Sequence, residues 1–151
     1  MSEVNTEKSV SNLLKETSIK VAPGTYSLIG LSHQEWDRLL QDSDLSPRTD
    51  QPFMIFRDSI QVTLLIEEDD WLRMRHAVRD AKVERDFRLV TLDLELPWNV
   101  VGYFAGVAEI LAAAGVPIGA LSSFSSDHLL IKQGDLGKAL NALGKHVGEL
   151  C

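Results

Sequence analysis

The chain has 151 residues, 44% of them hydrophobic and 25% charged, with a formal net charge of -7. That is the balance of a globular protein, long enough for one ordinary domain or two very small ones packed as one body. The acidity argues against nucleic acid and anionic lipid as partners, because both call for clustered Lys and Arg, and here Arg73, Arg75, Arg79 and Lys82 are interleaved with acids.

Residues 1–17 are polar and do not resemble a signal peptide. Residues 1–8 are expected to be disordered, and Val10, Leu13 and Leu14 are spaced for a short helix near 7–16. Pro23-Gly24 signals a turn. Thr25–Leu31 reads as a strand. Ser32-His33-Gln34-Glu35 fits a capping box, with Trp36, Leu39 and Leu40 on the helix behind it. A polar loop spans Asp42 to Pro52. Phe53–Phe56 follows as a strand and Arg57-Asp58-Ser59 as a tight turn. Ile60, Val62, Leu64 and Ile66 alternate with polar neighbours, the mark of a half-buried strand. The acids Glu67 to Asp70 suit the positive end of a helix that carries Trp71, Met74, Val78 and Ala81.

The order then returns. Val90, Leu92, Leu94 and Leu96 alternate along a strand that Pro97 stops. Val100, Phe104, Val107, Leu111 and Ala114 mark one face of a long helix that Gly115 ends in a left-handed backbone. Gly102, Gly106, Glu109, Gly115 and Pro117 interrupt this apolar stretch, so it fits a buried helix rather than a membrane span. Ile118–Phe124 and His128–Gln133 are paired strands about the turn Ser125-Ser126-Asp127. Gly134-Asp135 opens the last helix.

Strand, helix, strand, strand, helix thus runs twice. The implied fold is α+β: two tandem split βαβ, or ferredoxin-like, units of antiparallel sheet with helices on one face. The expected division is an N-terminal segment at 1–23, a first unit at 24–84 and a second at 85–151. Six strands are two fewer than two four-stranded sheets need, so either one unit borrows a strand from the other or two chains share sheets. A seam between similar units is where small ligands tend to sit.

The second unit resembles an ACT domain. The carrying residues are strand Leu92–Leu96, the turn Pro97-Trp98-Asn99-Val100-Val101-Gly102, the helix end Ile110–Ile118, and the hairpin Leu121-Ser122-Ser123-Phe124-Ser125-Ser126-Asp127-His128-Leu129-Leu130-Ile131. The hairpin is similar to the Ile-Ser-Thr-Phe-x-x-Asp-Tyr-x-Leu-Val stretch of small two-ACT proteins, which are related to the ACT regions of aspartate kinases and to CASTOR-type arginine sensors. The first unit matches only in element order and length. The resemblance implies a free amino acid at the seam between units, held by Leu96, Pro97, Trp98, Asn99, Val100, Val101, Gly102, Ser123, Phe124 and Asp127. The chemistry is sound on its own terms: amides at a helix start donate to a carboxylate, and Asp127 takes an ammonium. Two positions depart from the family. Pro97 stands before Trp98 where an acid is usual, and His128 replaces a Tyr.

Each candidate has a plainer reading. Asp127 is either a ligand contact or a turn residue. Trp98 either packs over a ligand or covers the helix start. Asn99 is a contact or a helix cap, and Gly102 admits a ligand or a neighbouring strand. None of His33, His76, His128 and His146 has metal-ligand spacing, and the only cysteine, Cys151, leaves no disulfide within the chain. Asp127 and His128, adjacent on a strand, are expected to face opposite ways rather than form a dyad. The serine run 122–126 has no neighbour in sequence that would activate a nucleophile, and neither a phosphate loop nor a nucleophile elbow is present. The expectation is a cytoplasmic, non-catalytic module without cofactor or metal, regulating by binding a small amino acid or derivative. Its partner is a second copy or another protein. The alternatives are an enzyme acting on an amino-acid-like substrate and a ligand-free scaffold.

Overall fold

The computed structural model describes residues 10–42 and 50–150. The disorder expected for residues 1–8, most of the loop after Asp42, and Cys151 lie outside the described residues. Residues 10–16 form helix α1 and Ser18–Val21 strand β1. The elements that follow are β2 (Tyr26–Leu31), α2 (His33–Leu39), β3 (Met54–Arg57), β4 (Val62–Glu67) and α3 (Glu68–Met74). Then come β5 (Lys82–Asp93), α4 (Tyr103–Ala113), β6 (Gly119–Ser122), β7 (Asp127–Lys132), α5 (Leu136–Gly144) and β8 (Glu149–Leu150). The chain divides into two compact units. One is Gly24–Phe87; the other joins the residues up to Pro23 with those from Arg88 onward.

In the first unit β2-α2-β3-β4-α3-β5 is a complete split βαβ, with sheet order β3-β4-β2-β5. Alternation on β2 and β4 sends Ile29, Leu31, Val62, Leu64 and Ile66 to one face, where they pack with Leu39 of α2 and Trp71 and Met74 of α3. A register shift interrupts the β2–β5 pairing: Tyr26 faces Phe87, but Leu28 faces Glu84. The extra β5 residue is a bulge, and Asp86 takes the left-handed backbone there at φ 65°. Asp is among the few non-glycine residues that tolerate that region.

Half of the capping box forms. The Ser32 hydroxyl accepts from the Glu35 amide at 3.1 Å. Glu35 does not reach back to Ser32. Its Oε1 instead accepts from the Arg79 amide at 2.7 Å and from the Arg38 guanidinium, which also donates to the Ala77 carbonyl at 2.5 Å. These donors, Arg38 first, hold the Glu35 carboxyl below the ordinary glutamate range despite opposing burial. A lowered acid stabilises the fold above its ordinary pKa and loses that contribution as pH falls through its lowered value. Glu35→Gln should therefore cost stability in full above about pH 4.5, and in acid-unfolding curves the deficit should shrink as pH falls below that value.

The second unit orders its strands β6-β7-β5-β1-β8. Its core joins Ile19, Val90, Leu92, Leu129 and Ile131 of the sheet to Tyr103, Val107 and Leu111 of α4, Ala139 and Leu143 of α5, and Leu14 of α1. Helix α4 ends as expected: Gly115 lies at φ 74°, and the Val116 and Gly115 amides donate to the carbonyls of Leu111 and Ala112, a Schellman closure.

Both missing strand places are filled from within the chain. β5 begins at Lys82, earlier than the alternation from Leu89 suggests, and its first half closes the first unit's sheet. The second half pairs antiparallel with β1, Ser18 opposite Asp93 through Val21 opposite Val90. The N-terminal segment, set outside the repeat by the sequence reading, thus supplies the fourth strand of the second unit. Thr17 secures it. Wholly buried, its hydroxyl donates to the Leu13 carbonyl at 2.7 Å and so accepts from the Tyr103 hydroxyl at 2.7 Å. Thr17→Val leaves that phenol without its partner and should cost about 1–3 kcal/mol in urea denaturation, most of which Thr17→Ser restores.

Candidate functional site

The turn after β5, the start of α4 and the β6–β7 turn surround a cavity of about 230 Å³. From the first turn come Leu96, Pro97, Trp98, Val100 and Gly102; from the second, Ser123, Phe124 and Asp127. Leu94, Tyr103, Phe104, Ser122, Ser125 and Ser126, not singled out by sequence, complete the lining. Asn99 and Val101 do not line it. Asn99 sits in the turn closed by the Val100 amide on the Pro97 carbonyl at 3.2 Å, and the helix cap is Gly102, not Asn99. Glu95 is exposed beside half-buried Leu94 and Leu96 and does not line the cavity either.

Gly102 has a local reason to be glycine. Its φ is 89°, and the nearest atom to a Cβ built there is Val10 Cγ2 at 3.9 Å. The left-handed backbone, not crowding, excludes a side chain. A glycine cap offers no side-chain acceptor, and the first turn of α4 holds no acid. The amides of Tyr103, Phe104 and Ala105 precede the first i−4 bond, from Gly106 to the Gly102 carbonyl at 3.0 Å. Such amides favour an anion.

Across the cavity the β6–β7 turn runs from Ser123 to Ser126, starting two residues and ending one residue earlier than its sequence suggests, and Asp127 begins β7. The Ser123 amide donates to the Ser126 carbonyl at 2.9 Å. The Ser122 hydroxyl donates to Asp127 Oδ1 at 2.7 Å, which orients the carboxylate. Trp98 and Phe124 on the rim are fully exposed.

His128 contacts the serine run: Ser123 Oγ lies 2.8 Å from His128 Nε2, and Thr91 Oγ1 lies 2.9 Å from Nδ1. The polarity of this chain disfavours nucleophilic use. Ser123 Oγ donates to the Ser126 carbonyl at 3.1 Å, so it accepts from Nε2–H, and Thr91 donates to Nδ1. An imidazole that donates to a hydroxyl is not positioned to deprotonate it. Burial lowers the His128 pKa, against an opposing pull from Asp127, which keeps the ring neutral at physiological pH. The relay joins the turn to β5. At the cavity floor, burial raises the Tyr103 phenol, as does Asp127, while Thr17 opposes.

Residues 82–145 match the family model of the ACT domain. By sequence, that stretch belongs with the ACT domains. Solved structures extend the likeness of fold to nearly the whole chain. An Agobacterium tumefaciens protein superposes with TM-score 0.71 at 20% identity, covering 90% of this chain and 92% of its own. A Vibrio cholerae protein described as a possible transport protein gives TM-score 0.70 at 25% identity, with 93% and 98% covered. The regulatory subunit of aspartate kinase from Thermus flavus gives 0.69 at 11% identity, covering 87% and 98%. No curated protein matches significantly in sequence. Among the described residues of the chain, no group of three or more His, Cys, Asp or Glu is placed to hold a metal ion. No helix among them is long and apolar enough to cross a membrane.

Proposed function

We propose that this chain is a non-catalytic, cytoplasmic regulatory module that binds a small amino acid or a close derivative in the cavity between the Leu96–Gly102 turn and the β6–β7 turn. One observation carries the reading: the uncapped amides of α4 and the oriented carboxylate of Asp127 border the same small cavity. Together they offer the two complementary charges of a zwitterion. The volume of about 230 Å³ is below the roughly 300–1,000 Å³ typical of drug-sized ligands, which favours a single amino acid. The fold shared with aspartate kinase regulatory subunits supports a regulatory role over an enzymatic one. The described walls of this cavity all belong to the second unit, so in this proposal that unit alone supplies the determinants. Regulation follows if the ligand favours one association state, with a second copy or a partner protein, over another.

Calorimetric titration with each proteinogenic amino acid, alongside Trp98 fluorescence, tests the reading. Saturable heat with one or a few of them is expected, accompanied by a change in tryptophan emission that Trp98→Phe abolishes. Absence of heat with all of them, and with their common derivatives, overturns it.

A further inference from the structure

A second cavity lies among the helices of the same unit and shares no lining residue with the first. It occupies about 520 Å³ between α1, α4 and the end of α5. Val10, Leu14, Ile110 and Val147 form its apolar wall, and Gly106 sets its width: a Cβ there would lie 3.0 Å from Val10 Cγ1. Its polar lining is Ser11, Lys15, Lys145 and His146.

The charge is the informative part. In a chain of net charge -7, the described lining of this cavity holds two lysines and a histidine and no carboxylate. Lys15, Lys145 and His146 make no ion pair with any described residue. Glu109 lines an adjoining hollow that shares Gly106, Ile110, Lys145 and His146. Lysines that pair with no described residue, set beside an apolar wall in a cavity of small-molecule size, match a ligand with one anionic head and an apolar body.

We propose that this cavity is a binding site for a small amphiphilic carboxylate, with Lys15 and Lys145 on the head group and Leu14, Ile110 and Val147 against the chain. The proposal is independent of the amino-acid reading, but α4 links the two places. Its first residues, Tyr103 and Phe104, line the smaller cavity, and Gly106 and Ile110, further along, line the larger.

Sodium octanoate is the probe, titrated below its micellar range into the full chain and followed by amide NMR. Octan-1-ol and sodium acetate serve as controls for head and tail. Saturable shifts at residues 10–15, 106–110 and 145–147 are expected, with octan-1-ol at least tenfold weaker and acetate inert. Lys15→Glu and Lys145→Glu, both at exposed positions, should each weaken octanoate at least tenfold with unchanged circular dichroism. The proposal is overturned by equal binding of octanol and octanoate, by unaltered affinity in both variants, by shifts confined to Leu96–Gly102, or by no saturable shift.

Discussion

Gly148→Ala is expected to lower the melting temperature by roughly 5–10 °C, although position 148 is exposed and does not take a left-handed backbone. The Gly148 amide donates to the Thr17 carbonyl at 3.0 Å, and β8 beyond it pairs in parallel with β1, Ser18 opposite Glu149. A Cβ built on Gly148 falls 2.2 Å from the Lys15 carbonyl oxygen, a backbone atom that moves only if α1 and β1 move. Those elements carry Leu14, Ile19 and Thr17 into the core, so the clash cannot be relieved locally. Overpacking of this kind costs about 1–3 kcal/mol and sometimes more. Gly137→Ala is the control: nothing lies within 4 Å of a Cβ there, its φ is ordinary, and the substitution should stabilise by about 0.4–1 kcal/mol. Differential scanning calorimetry of both variants decides the matter. A Gly148→Ala protein that melts with wild type would mean that the β1–β8 connection is looser than its geometry indicates.

Asp127→Ala should weaken the amino-acid ligand by roughly 10- to 100-fold, the worth of a charge-assisted hydrogen bond to its ammonium. Asp127→Asn separates charge from shape. An amide still accepts from the Ser122 hydroxyl and so preserves the end of β7, but it forfeits the negative charge. Equal losses in the two variants would place the effect in the charge; retention of full affinity by Asp127→Asn would remove Asp127 from ammonium recognition. Ser122→Ala, which frees the carboxylate without deleting it, should cost only a few-fold. Titration calorimetry with the best ligand supplies the comparison.

Much of the fold was legible because apolar alternation on β2, β4 and the second half of β5 is strong and one-sided. The strands that escaped were short of that signal. β1 contributes only Ile19 and Val21 as apolar residues, β8 has two residues, and the first half of β5 is Lys-Val-Glu-Arg-Asp-Phe, whose charges mask a strand held by its pairing with β2. The capping box was half right because Glu35 found stronger donors in Arg38 and the Arg79 amide, contacts that no local pattern announces. At the candidate site, the turn and the hairpin stood out by resemblance, and the structure gathers most of their residues around one cavity. The Ser123–His128–Thr91 relay did not stand out, since it depends on how the turn folds back over β7 and on which β5 residue lies beside it.

The way the second unit is assembled has a consequence for how the protein is made. One unit is continuous in sequence and is inserted within the sequence of the other, whose first strand is translated long before its partner: Ser18 must wait for Asp93, and Thr17 for Tyr103. The inner unit can therefore complete its contacts on the ribosome while the outer one holds an unpaired β1, with Ile19 uncovered. Non-local pairing of this kind is slow and exposed to aggregation. Refolding should accordingly be biphasic, with the ACT unit in the slow phase.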